Sequence, residues 1–194
     1  MKITSLLTAL AVVGFLSLLP ASTWAKKLEL DGNHSYLAFT ASTVIFDVEG
    51  RFSRYKVDAS GDADTGADGQ IRVEIDTKSI DTSNKTRDKH LQSDDFFAAA
   101  KYPKIIFTSK KITKEGNKLI VVGTLDLHGV QRELTIPFTI SSGINGAGVK
   151  EYAYKAEIPI NRKDFGIGTD SIAAKISLKD QVTLRLLIAG FPEG

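Results

Sequence analysis

The sequence predicts a mainly β protein: about eight antiparallel strands closed as an up-and-down barrel, with one short helical insert. Three observations predict it. The first is strict alternation, as in Ile71, Val73 and Ile75 against Arg72, Glu74 and Asp76, which gives a strand one dry and one wet face. The second is the turn signals between such runs, at Gly66 to Gly69, Glu115-Gly116-Asn117, His128-Gly129 and Gly143 to Gly148. The third is that helical patterning is confined to one stretch, residues 79–109.

Taken in order, the long strand candidates are 35–46, 104–113 and 149–161, with 71–76 between the first two. Leu134, Ile136, Phe138 and Ile140 alternate with Glu133, Thr135, Pro137 and Thr139. Tyr152, Tyr154, Ala156, Ile158 and Ile160 form the next apolar row, and Val182, Leu184, Leu186 and Ile188 the last. Periodicity alone allows a sandwich as well as a barrel. Strands of this length favour a tall, tilted barrel whose interior holds one small ligand. Charged residues on the alternate face exclude an outer-membrane barrel, whose outer face must be an apolar band.

Residues 1–25 read as a signal peptide: Lys2, an apolar stretch from Leu6 to Leu19, Pro20, then small residues, with cleavage expected after Ala25. That apolar stretch is short for a membrane span, which needs about 20 residues, so stable membrane insertion is not expected. The export signal implies a periplasmic protein, with residues 26–194 as a single barrel domain. Loss of Lys2 leaves 24 basic against 23 acidic side chains. Such a balance offers nothing to nucleic acid, which requires a concentrated basic surface. With no cysteine, disulfides, thiolate metal sites and Cys nucleophiles are excluded.

In the insert, Ser83 or Asn84 caps a helical segment running through Leu91, and Ser93 caps a second one ending at Tyr102-Pro103. Leu91, Phe96 and Phe97 must bury against a barrel wall or mouth. Arg87 and His90 are candidates for the polar head of a ligand, since a guanidinium fork suits phosphate or carbonyl oxygens. A solvated helix face, with Arg87 and Asp88 paired, is the plain alternative. His34 and His128 fall at strand ends and suit hydrogen bonding better than metal binding. Ser35 and His34 point to opposite faces, and no Gly-x-Ser-x-Gly elbow occurs, so no nucleophile is evident. Gly166 and Gly168 permit a bend that turns Phe165 inward; Arg162 is within reach of carboxylates on the insert, but fixing a loop against the barrel is its expected role.

Four elements together, Asp31-Gly32-Asn33-His34-Ser35, the insert, Gly123-Thr124-Leu125-Asp126-Leu127-His128-Gly129-Val130 and Arg162-Lys163-Asp164-Phe165-Gly166-Ile167, resemble the YceI-like family over about residues 28 to 190. The resemblance implies a lipocalin-like barrel and an isoprenoid ligand, such as an isoprenoid quinone or a polyprenyl phosphate. By strand parity and aromatic content, the expected lining is Leu37, Phe39, Phe46, Phe52, Ile71, Val73, Phe107, Leu125, Phe138 and Phe165, with Arg87, His90, Leu91, Phe96 and Phe97 from the insert. This set predicts a non-enzymatic carrier without cofactor or metal. The alternatives are an enzyme using Arg87, Asp88 or His90 on a hydrophobic substrate, and a stress-response protein with a filled core. Pairing of two barrels as a homodimer is left open.

Overall fold

The computed structural model describes residues 26–193, so the leader expected at 1–25 and its cleavage site lie outside the described residues. Eleven strands form one curled antiparallel sheet. They are β1 (Leu28–Leu30), β2 (Tyr36–Thr43), β3 (Asp47–Phe52), β4 (Tyr55–Ser60), β5 (Gln70–Asp76), β6 (Ile80–Asp81), β7 (Lys104–Glu115), β8 (Lys118–Leu127), β9 (Val130–Ile144), β10 (Lys150–Asn161) and β11 (Leu178–Pro192). Two short helices, α1 (Lys85–Leu91) and α2 (Ile172–Ser177), complete the chain.

Eleven strands replace the eight expected, and the reason is local. β3 and β4 are one extended run bent at Ser53-Arg54: Leu37 pairs with Phe52 before the bend, and Tyr55 pairs with Ile75 after it. That corner passes the run from β2 to β5 and closes the sheet on itself. A 3₁₀ turn at Thr77–Ser79 wedges into it, with Ser53 N–H donating to Ser79 O and Asp76 N–H to Arg54 O. β1 and β6 are short additions. β1 pairs with the end of β11, and a Lys27–Ser60 bridge carries it to β4. A lipocalin-like barrel of eight staves remains.

The strand expected over 35–46 ends at Thr43, because the Thr43 hydroxyl and N–H both donate to Phe46 O and turn the chain there. The hairpin at His128-Gly129 has φ of 57° and 73°, the paired left-handed residues of a type I′ turn. A side chain at Gly129 would meet the Tyr102 ring at 2.5 Å, so this turn packs tightly on the insert. The main core joins both sides of the barrel through Phe107, Val121, Leu125, Ile136, Ile158 and Phe165.

Candidate ligand-binding interior

The inward faces of the strands leave two apolar chambers, stacked along the barrel. The upper one, beside the insert, is about 130 Å³ and is walled by Leu37, Phe39, Phe52, Leu125 and Leu186 with Leu91, Phe96 and Phe97 from the insert. The lower one, about 80 Å³, is walled by Val57, Ile71, Val121, Phe138, Tyr154 and Ile188. Phe39, Phe52 and Phe97 form a chain of rings with centroids 6.0 and 6.2 Å apart.

Most of the expected lining therefore faces one chamber or the other, and the exceptions have clear causes. Val73 and Phe107 lie between the chambers and wall neither. Phe165 is 2% exposed and packs in the core behind them, where Gly166 and Gly168 turn the chain with φ of 70° and 67°. Phe46 is not a lining residue: it sits in the turn after β2 and is 58% exposed, beside Val44 and Ile45. Its aromatic character alone marked it as lining, since in a strand continued to residue 46 it falls on the face opposite Leu37 and Phe39.

Arg87 and His90 also stand away from the chambers. Asn84 caps α1 by accepting from Arg87 N–H. The Arg87 guanidinium then donates to the Thr82 hydroxyl oxygen and to Thr82 O, each at 2.8 Å. Asp88 accepts from both the N–H and the hydroxyl of Thr82, at 2.8 and 2.6 Å. Arg87 and Asp88 thus clamp one buried threonine instead of pairing with each other. His90 leans on the outer side of Phe96, with ring centroids 5.0 Å apart, and lies 3.3 Å from Asp95. The second helical segment expected from Ser93 is a series of turns: Ala98 has φ of 42°, and Phe97 N–H donates back to Leu91 O.

Arg162 is the one charged side chain in the upper wall, and it is 2% exposed. It does not reach the insert's carboxylates. Its donors go to the carbonyls of Ile167, Ala174, Leu178 and Lys179 and to Asp180. Gly168 makes room for it, since a Cβ there would lie 3.0 Å from Arg162 Nη1.

Residues 61–69, between β4 and β5, cover the lower chamber. Asp64 accepts from Lys150 Nζ at 3.0 Å and from the Tyr152 hydroxyl at 2.9 Å, and the Tyr154 hydroxyl donates to Ala63 O at 2.9 Å. Lys150 first, then Tyr152, holds the Asp64 carboxyl below its usual range, and burial pushes the Tyr154 phenol well above its own. This latch escaped the sequence reading because its partners lie more than 80 residues apart. Glu151 was missed likewise: β10 brings it to within 4.8 Å of His34 and Asp31 at the surface. His128 serves as a hydrogen-bonding residue, with Nδ1 2.9 Å from Phe165 O.

The model of the YceI-like domain matches residues 28–189, nearly the whole barrel. The chain belongs to the YceI-like family. Protein YceI of Escherichia coli O157:H7 is 35% identical over 146 residues, covering 74% of this chain and 76% of its own. A UPF0312 protein of Shewanella denitrificans is 33% identical over 188 residues, covering 94% and 96%. Among solved structures, Burkholderia cenocepacia BcnA superposes with a TM-score of 0.75 at 26% identity, over 84% of this chain and 99% of that one. A polyisoprenoid binding domain from Saccharophagus degradans gives 0.64 at 17% identity, over 88% and 100%, and at that identity the likeness is one of fold. This YceI-like chain shares its fold with both of these structures.

Proposed function

We propose that this YceI-like protein is a periplasmic carrier that holds an isoprenoid lipid in its barrel and returns it unchanged. The observation that carries the reading is the lining itself: two stacked chambers walled mainly by Leu, Ile, Val and Phe, with Arg162 the one charged residue of the upper wall and Lys26, Lys27 and Asp62 at the lower one. Each further methylene buried against such a wall contributes about 0.8 kcal/mol, so a prenyl chain binds without any catalytic group. The ligand of the Saccharophagus degradans neighbour, named as a polyisoprenoid, supports the same class here. The export signal read at residues 1–25 supports the location.

The chambers also limit the reading. A cavity of about 150 Å³ takes a guest the size of benzene. The upper chamber, at about 130 Å³, therefore holds roughly one five-carbon unit as it stands, and a longer chain requires wall side chains to repack. The donors of Arg162 are taken up by backbone carbonyls and Asp180, so a polar head group belongs outside the barrel, not against this guanidinium.

The small chamber volumes are the observation that favours the filled-core alternative. Titration of the purified protein with farnesol, followed by native mass spectrometry, tests the two readings. A saturating one-to-one adduct supports the carrier. No adduct, with flat fluorescence from an added apolar dye, supports a filled core.

A further inference from the structure

The two chambers share no wall residue, yet the same strands wall both. On β5, Ile75 faces the upper chamber and Ile71 the lower, with Val73 between them. On β8, Leu125 faces the upper chamber and Val121 the lower, and the residue between them is Gly123. Residues two apart on a strand share a face, so Val73 and Gly123 mark one level of the interior. On β7, Ile105 lies above and Ile112 below, with Phe107 between, paired across the sheet with Val73 on one side and Leu125 on the other.

The Phe107 ring occupies the notch that Gly123 leaves. A Cβ on Gly123 would lie 2.4 Å from Phe107 Cζ and 2.8 Å from Cε2, so any larger residue would displace the ring. Phe107 and Val73 therefore occupy the layer that divides one interior into two.

We propose that Phe107 is the partition that determines how much of a prenyl chain the barrel admits. With the ring in its notch, the chain is held in the upper chamber. With the ring rotated out, upper and lower chambers join as one tunnel reaching the 61–69 cover. Phe107 is thus a specificity-determining residue for chain length. The proposal rests on the reading that the interior takes a prenyl chain, and it adds where that chain stops.

The test compares ten-carbon geraniol with fifteen-carbon farnesol, whose extra prenyl unit only the joined interior accommodates, in the wild type, Phe107→Ala and Phe107→Leu, using competition against a bound apolar dye and thermal melting to confirm folding. Burying two further methylenes corresponds to about a tenfold gain. The expected result is therefore a rise of about tenfold or more in the preference for farnesol over geraniol in Phe107→Ala, and a smaller rise in Phe107→Leu. Phe107→Leu keeps more of the packing and decides the matter where the alanine variant does not fold. An unchanged preference in a folded variant that still binds both alcohols overturns the partition while leaving the carrier reading intact. Failure of the wild type to bind either alcohol overturns both.

Discussion

Arg87 and Asp88, adjacent on α1, grip the same residue from opposite sides: Thr82 receives hydrogen bonds from the first and donates them to the second. The pair ties the insert to β6 at the barrel corner, so its role is to fix the wall that carries Leu91, Phe96 and Phe97. Hydrogen bonds to charged groups contribute about 1.5–3 kcal/mol. Arg87→Ala is expected to lower unfolding stability by about that amount, measured by urea denaturation, with ligand affinity unchanged in the folded fraction. A selective loss of affinity for charged-headed lipids at full stability would return Arg87 to the ligand site.

Arg162 is a buried cation that holds the 166–180 segment together through four carbonyls. Removing one partner of a buried pair costs about 3–5 kcal/mol, because the groups left behind lose their partners. Arg162→Met should fall in that range by chemical denaturation. Arg162→Lys should rescue little, since an ammonium cannot reproduce the planar fork.

Phe39 lies against Gly50, where an added Cβ would come within 2.3 Å of the ring. Gly50→Ala must push that ring toward the upper chamber, which Phe39 walls. Overpacking of this kind costs about 1–3 kcal/mol. Weaker farnesol binding is expected in Gly50→Ala, while Phe46→Ser should bind as the wild type does, and isothermal titration distinguishes the two.

At the surface, hydrogen bonding to Asp31 and then its charge raise the His34 pKa above 6.5, and the same bond lowers Asp31 below 3.8. The His34 contribution is present below pH 6.5 and is lost as pH rises through its raised value; the Asp31 contribution is present above pH 3.8 and is lost as pH falls through its lowered value. The turn is therefore best pinned between these limits. NMR titration of the His34 ring should give a midpoint above 6.5 that moves down in Asp31→Asn.

Asp64 should control the cover of the lower chamber. Asp64→Ala removes the acceptor shared by Lys150 and Tyr152, leaving the Tyr154–Ala63 bond as the side-chain tie from β10 to this segment. Faster amide exchange confined to residues 61–69 is expected, with the barrel strands unchanged.

The staves were legible because alternation at Ile71–Asp76, Leu134–Ile140 and Val182–Ile188 writes the buried face directly into the sequence. The corner at Ser53-Arg54 was not legible, since a strand that changes partners keeps its alternation through the bend. Phe39, Phe52, Leu125 and Phe138 could be placed inside by parity. Parity is silent on depth, so the division into chambers at Phe107 needed the register. Phe46 and Arg87 went astray for opposite reasons: exposed turn aromatics look like core, and a guanidinium that holds backbone looks like a ligand group.

Whether the barrel interior holds an isoprenoid lipid is decided by organic extraction of the protein purified from its native compartment, with identification of the extract by mass spectrometry. A prenyl lipid at near-stoichiometric yield is the predicted result. Folded protein that yields no lipid, both as isolated and after incubation with polyprenyl lipids, would contradict it.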